Sequence, residues 1–180
     1  KFEPYYDKVM SNKIKWTVIA YPQSDWAKLM FPELDEDKAT EKLGEYIAKT
    51  TRVDGDDPVK AWKDHSDSLR RRCQKLNAAN IDSFHYKNSL GTDVTVGMPK
   101  DYLFLGGAEE CNGVMFNANM PTEEIFSAPD CTRIDGVIKA SLPLCYMGKI
   151  IDGISLTFKN GRIVDFDAKT NRDVLKGIIE

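Results

Sequence analysis

The sequence predicts a mixed α+β fold: an αβ portion, a long connecting helix, and a β-rich portion from about residue 80 onward. Three observations carry that reading. Apolar residues recur at helical spacing through residues 35–50 and again through 57–76. After Asn77 the period changes from helical to alternating, the mark of strands with one buried face. Asn160-Gly161 then stands between two apolar runs, and these two residue types accept the positive φ that both positions of a type I′ hairpin turn require. At 180 residues, 42% hydrophobic and 29% charged, the chain has the composition of an ordinary globular protein of one large or two small domains.

Each element follows from local chemistry. Residues 15–21 (KWTVIAY) are apolar, β-branched and aromatic, bounded by Asn12 and Pro22, which predicts a buried strand. Ser24 or Asp25 is expected to cap a short helix carrying Trp26, Leu29 and Met30, ended by Pro32. Asp35 opens a second helix whose Ala39, Leu43, Tyr46, Ile47 and Thr50 share a face, with acidic residues in its first turn. Asp57 as N-cap and Pro58 at the first helical position start a third helix, reaching about Leu76, with Trp62, His65, Leu69, Cys73 and Leu76 along one side. Residues 83–87 and 92–98 are expected to pair as strands. Residues 102–105, 113–116, 137–142 and 150–158 are further strands, and Thr170 with Asp173 starts a last helix.

Twenty-five basic and 28 acidic residues give a formal charge of −3, which lacks the basic footprint of a nucleic-acid binder. Apolar runs such as 16–21 are far too short to span a membrane, and no signal peptide precedes the first strand-like segment. A first residue other than methionine and a last residue inside a helix-like segment are those expected of a piece of a longer chain. Cys73, Cys111, Cys131 and Cys145 could form two disulfides, but their wide spacing favours reduced thiols in a cytoplasmic protein.

The chemistry concentrates in residues 117–124 (NANMPTEE). Asn117, Asn119, Thr122, Glu123 and Glu124 gather oxygen donors around a proline, as a divalent cation or an acid–base carboxylate requires. Consecutive carboxylates on an extended chain point opposite ways, so one can face a site while its neighbour faces its support. The competing structural reading makes Thr122 the cap of a short acidic turn. His65 and His85 have no partner at metal-ligand spacing, so His65 reads as a packed or surface-edge residue and His85 as a strand residue. Asp93 is expected to bond the Gly91-Thr92 turn, and Arg70-Arg71-Arg72 to form a solvated face. Gly106-Gly107 lacks the helix start of a phosphate-binding loop, and no catalytic serine, P-loop or cysteine–histidine pattern is visible.

Segments spread over nearly the whole chain nevertheless match, in order, a known family. They are Trp16-Thr17-Val18-Ile19 with Pro22 and Trp26-Ala27, Asp57-Pro58 with Trp62 and His65, Leu76-Asn77, Gly91-Thr92-Asp93, and residues 119–126 (NMPTEEIF). In these the chain resembles the leucyl aminopeptidase T family of metallopeptidases. The resemblance implies a metal-dependent aminopeptidase releasing N-terminal amino acids from peptides, with two divalent ions, zinc or cobalt, in a full active site. It also implies a cytoplasmic homodimer acting on peptides with a free N-terminus, without nucleic-acid or membrane partners. By the same resemblance Glu124 is a metal ligand, with Asn117, Asn119, Thr122 and Glu123 as candidates for holding it in place. No catalytic residue is assigned within these 180. The family's other ligands, a glutamate in an LGE motif, two histidines and an aspartate, are expected beyond Glu180 together with a catalytic tyrosine. The chain then corresponds to an internal fragment. Residues 1–60 end an N-terminal αβ domain, and 61–180 comprise the connecting helix and an incomplete β-rich catalytic domain, with the active site between the two parts. Alone, the fragment is expected to be inactive. The rival reading is a non-catalytic β-rich binding or assembly module that shares the fold.

Overall fold

The computed structural model describes residues 3–180, and its elements are those of an α+β protein. In chain order they are α1 (Glu3–Met10), β1 (Val18–Ile19), α2 (Ser24–Met30), α3 (Glu36–Thr50), α4 (Pro58–Asn77), β2 (Ser83–Lys87), β3 (Asp93–Gly97), β4 (Leu105–Gly106) and β5 (Glu109–Cys111). There follow β6 (Val114–Phe116), β7 (Asn119–Met120), β8 (Ile125–Phe126), β9 (Ile134–Lys139), β10 (Leu144–Tyr146), β11 (Lys149–Ile151), β12 (Ser155–Lys159), β13 (Arg162–Asp167) and α5 (Arg172–Ile179). They form two compact units. One contains the described residues up to Lys75 together with Phe104–Phe126; the other contains Leu76–Leu103 and Ser127–Glu180.

In the first unit, α2 and α3 pack through Ala27, Ala39 and Leu43, all buried, with Phe31, Leu34 and Ile47 around them. Small residues at 27 and 39 let the helices approach closely, and the Asp35 carboxylate accepts the Lys38 backbone N–H at 2.9 Å to start α3. Tyr46 and Thr50, expected on the buried face of α3, are exposed; Tyr46 stacks on Phe31 at the rim. Three short pairings complete the unit: β1 parallel to β7, β4 antiparallel to β8, and the β5–β6 hairpin.

The second unit is built on a five-stranded antiparallel sheet in the order β13-β12-β9-β3-β2. Buried Ile151, Ala168 and Leu175 join α5 to this part of the chain, with Leu156, Phe166, Val174 and Ile179 packed about them. The β12–β13 turn is the hairpin that Asn160-Gly161 predicts, with φ of +49° and +75° and Lys159 opposite Arg162. A Cβ at Gly161 would lie 1.7 Å from the Cys131 carbonyl oxygen, so both the turn and the close approach demand glycine.

Several local expectations are corrected. The apolar run 15–21 yields only the two-residue β1, whose Val18 and Ile19 are exposed: its one pairing is with β7, so no sheet encloses it. Gln23, not Ser24 or Asp25, precedes α2, and no side chain caps it. The stretch 137–142 becomes Ile134–Lys139, and 150–158 splits at Asp152-Gly153, where Gly153 adopts positive φ. Thr170 does not cap α5; its hydroxyl donates to the Ile150 carbonyl at 3.0 Å and accepts the Asp152 N–H at 2.9 Å, fastening β11 instead. The turn before β3 is bonded by Asn88, whose Oδ1 accepts the Leu90 and Thr92 N–H groups. Asp93 turns to its own sheet, accepting from His85 Nε2 at 2.7 Å and lying 2.8 Å from Lys87 Nζ.

Lys87 first, and His85 after it, hold the Asp93 carboxyl below its ordinary 3.8. The unfolded chain therefore takes up this proton more readily than the folded one. The stabilisation from Asp93 is complete above about pH 4 and is lost as pH falls through the lower folded value. Asp93→Asn should accordingly lower stability at pH 7 but match the parent protein near pH 2, measured by chemical denaturation at both values. An equal deficit at both would show that the charge is irrelevant.

Candidate functional site

The site is assembled from two helix termini and one loop of the first unit. At the end of α3, Thr51 is fully buried and its hydroxyl donates to the Ile47 carbonyl at 2.7 Å. Arg52 follows with φ +58°. Its N–H bonds the Lys49 carbonyl at 3.2 Å, and that of Val53 bonds the Ala48 carbonyl at 2.9 Å. This pair of bonds is the Schellman termination of a helix, with arginine at the position that glycine usually occupies.

Helix α4 starts as predicted, with Asp57 Oδ1 accepting the Lys60 N–H at 2.9 Å and Pro58 at the first position. One turn on, the buried Trp62 donates its indole N–H to the Thr51 carbonyl at 2.5 Å, joining the end of α3 to the start of α4. The Arg52 guanidinium lies 5.8 Å from the Trp62 ring centroid, and the His65 ring meets the same indole edge-on at 5.7 Å.

This corner grips the loop that precedes β8. His65 Nε2 is 2.6 Å from the Thr122 carbonyl oxygen, and because a carbonyl only accepts, Nε2 carries the proton. Arg52 Nη2 is 2.5 Å from Glu123 Oε1, and His65 Nε2 lies 3.7 Å from Glu123 Oε2. Upstream, Thr17 Oγ1 donates to the Asn117 carbonyl at 2.6 Å, the Val18 N–H to the Ala118 carbonyl at 2.8 Å, and Ser66 Oγ to Asn117 Oδ1 at 3.2 Å. Downstream, β8 pairs with β4, where a Cβ on Gly106 would come 2.6 Å from the Glu124 carbonyl oxygen. The Met120-Pro121 peptide between these holds is cis.

The candidate residues thus fare differently. Asn117 is bonded through both its backbone and its side chain, Asn119 contributes its β7 pairing opposite Val18, and Thr122 contributes its carbonyl. No helix follows Thr122, so it is not a cap. Glu123 is committed to Arg52 and His65. Glu124 is exposed, and its carboxylate meets no hydrogen-bond or ion-pair partner among the described residues. Sequence reasoning missed Arg52 altogether and read His65 as a packed or surface-edge residue. His65 could have been found from its place beside Trp62 in the family-like segment; no signal in a single sequence marks Arg52.

Glu124 has the hard oxygen donor that a divalent cation takes, and it is uncommitted. Yet no group of three or more His, Cys, Asp or Glu side chains able to hold a metal occurs among the described residues. Among the described residues, then, Glu124 has the donor chemistry of a single ligand and no complete metal site is present. Trp62 also lines an open groove of about 710 Å³ with Val53, Val59, Met115, Phe116 and Met120, so the indole borders both the polar grip and an apolar depression.

Comparison with known proteins gives consistent matches. All of residues 1–180 match the family described as thermophilic metalloprotease (M29). Aminopeptidase PepS of Streptococcus thermophilus is 43% identical over 180 residues, covering 99% of this chain and 43% of that protein. Aminopeptidase T of Thermus aquaticus is 35% identical over 180 residues, covering 99% of this chain and 44% of the relative. The solved structure of wild-type AmpT from Thermus thermophilus matches 98% of this chain and 43% of its own, with a TM-score of 0.88 at 33% identity. The chain spans less than half the length of these relatives.

Replacing Trp62 with Phe keeps most of the apolar volume but leaves the Thr51 carbonyl buried without its donor, at a cost of about 1–3 kcal/mol. Urea denaturation of Trp62→Phe should show a loss in that range. A change below about 0.5 kcal/mol, the ordinary scatter of neutral surface changes, would mean that the indole hydrogen bond does not join the helices.

Proposed function

The chain belongs to the thermophilic metalloprotease (M29) family, and we propose that it is part of a metal-dependent aminopeptidase in which Glu124 is one metal ligand. The observation that carries this reading is the contrast within one dipeptide: Glu123 is held by Arg52 in a loop also fastened through Asn117, Ala118 and Thr122, while the Glu124 carboxylate has no hydrogen-bond or ion-pair partner among the described residues. By the family resemblance the remaining ligands lie outside these 180 residues; among the described residues no group of three or more His, Cys, Asp or Glu side chains able to hold a metal occurs. The substrates are peptides with a free N-terminus, in keeping with the names of the relatives, which are aminopeptidases.

When bound, a divalent metal lowers the pKa of its water and polarises the scissile carbonyl. What this chain contributes is placement. Glu123, pinned by Arg52, and the Thr122 carbonyl, pinned by His65, fix the backbone from which Glu124 extends. The finer parts of the proposal rest on the family resemblance alone: two ions, zinc or cobalt, a cytoplasmic location, and a homodimer. The same holds for the division of the parent protein into an N-terminal αβ domain ending near residue 60 and a catalytic domain from residue 61. Among the described residues no helix is long and apolar enough to cross a membrane.

In the full-length enzyme, Glu124→Gln should reduce turnover by more than about 100-fold, beyond the 10–100-fold typical of residues that merely support a ligand. Because the carboxylate has no partner among the described residues, thermal stability of the metal-free protein should hardly change. A large stability loss with activity retained would assign Glu124 to structure and favour the non-catalytic module. The isolated 180 residues, holding one ligand, should not cleave leucyl-p-nitroanilide with added cobalt or zinc. Turnover above that of the Glu124→Ala fragment would overturn this.

A further inference from the structure

We propose that Arg52 and His65 are positioning residues that hold Glu123 and the Thr122 carbonyl so that the Glu124 carboxylate keeps one orientation, an inference that rests on Glu124 being a metal ligand. The backbone of Arg52 is unusual. Among the described residues, the non-glycine positions with positive φ are Asn12, Arg52, Asn80, Asn112, Met147, Asn160 and Asn171. Asparagine accepts that conformation comparatively well. Arg52 and Met147 stand out, and Met147 lies in the tight β10–β11 turn, where such backbone is ordinary.

Arg52 has no such excuse. At the end of α3, glycine would satisfy the same Schellman bonds without strain, but glycine could not reach Glu123. The strained backbone is thus coupled to a side chain that lies over Trp62, donates from Nη1 to the Thr50 carbonyl at 3.4 Å and reaches across to bond Glu123 Oε1 at 2.5 Å. The Glu123 side chain is 64% exposed, and exposed ion pairs contribute little to stability. Stability therefore does not account for the arrangement, whereas orientation of the next residue does.

His65 supplies the second hold. Its side chain is only 13% exposed and is packed edge-on to Trp62, so few rotamers are open to it. Its donor is spent on the backbone carbonyl two residues before Glu124. The two contacts fix a carboxylate on one side of residue 124 and a carbonyl upstream of it, leaving the Glu124 side chain as the free group. Outer contacts of this kind set ligand orientation and commonly change metal affinity 10–100-fold when removed.

The test uses the full-length protein with cobalt(II) as probe, reading cobalt affinity, the visible coordination spectrum and the thermal midpoint together. Arg52→Gly relieves the helix end while deleting the grip, so it should keep or raise the midpoint and yet weaken cobalt binding by about 10-fold or more, within the range for such contacts. Arg52→Lys should recover part of that loss. His65→Gln, which keeps an N–H for the Thr122 carbonyl, should retain affinity that His65→Leu loses. Unchanged cobalt affinity and spectrum in Arg52→Gly and His65→Leu, with or without a fall in midpoint, would overturn the proposal. Glu124→Gln separates the two levels. If it binds cobalt as the parent protein does, the ligand reading itself fails; if it loses cobalt while the Arg52 and His65 variants do not, only the positioning role fails.

Discussion

The hydrogen bond from the buried Trp62 indole to the Thr51 carbonyl is the constraint on which the first unit's chemistry depends. It ties Thr51, the residue directly after α3, to the first turns of α4. In doing so it fixes where two otherwise unrelated side chains emerge. Arg52 leaves the helix end directly after Thr51, and His65 stands one turn beyond Trp62 on the same face of α4, against the same ring. Their sequence separation is small, but the loop they hold is more than fifty residues further along the chain. Packing thus converts a local helix corner into a clamp on a distant segment.

The dipeptide Glu123-Glu124 shows how neighbouring groups of the same type divide their work. Glu123 finds a cation and a histidine, whereas the adjacent Glu124 carboxylate finds neither among the described residues. A carboxyl group without a partner is tolerated because it stays exposed to water, which avoids the cost of burying an unpaired polar group. That solvation is also what a metal must displace, which is why a single carboxylate binds cations weakly and several ligands acting together bind them well. The segment's contribution is a donor delivered on a firmly held backbone.

Much of this architecture was legible in the sequence, for identifiable reasons. The α3 and α4 starts were written in Asp35 and in Asp57-Pro58, whose effects act within a few residues. The hairpin at Asn160-Gly161 and the β2–β3 pairing were equally local. Expectations failed where burial depends on what the chain meets elsewhere. The run KWTVIAY has every mark of an enclosed strand, yet β1 has a single partner and its side chains are exposed. Thr170 matched a capping pattern, but its hydroxyl was better used across the β11 backbone. In the site, the oxygen-rich segment 117–124 could be picked out by composition, and the family resemblance singled out Glu124. Arg52 could not be found this way, because its role comes from a helix terminus brought to the loop by Trp62, a relation with no periodicity to reveal it.

The most direct measurement is a crystal structure of the full-length protein grown with zinc or cobalt, with anomalous scattering used to place the metal. The account predicts a metal with a Glu124 carboxylate oxygen at about 2.0–2.2 Å, as for carboxylate ligands of zinc. Glu123 should remain on Arg52, and Thr122 on His65. A metal centre that excludes Glu124, or one bound through Glu123 with the Arg52 contact broken, would contradict it.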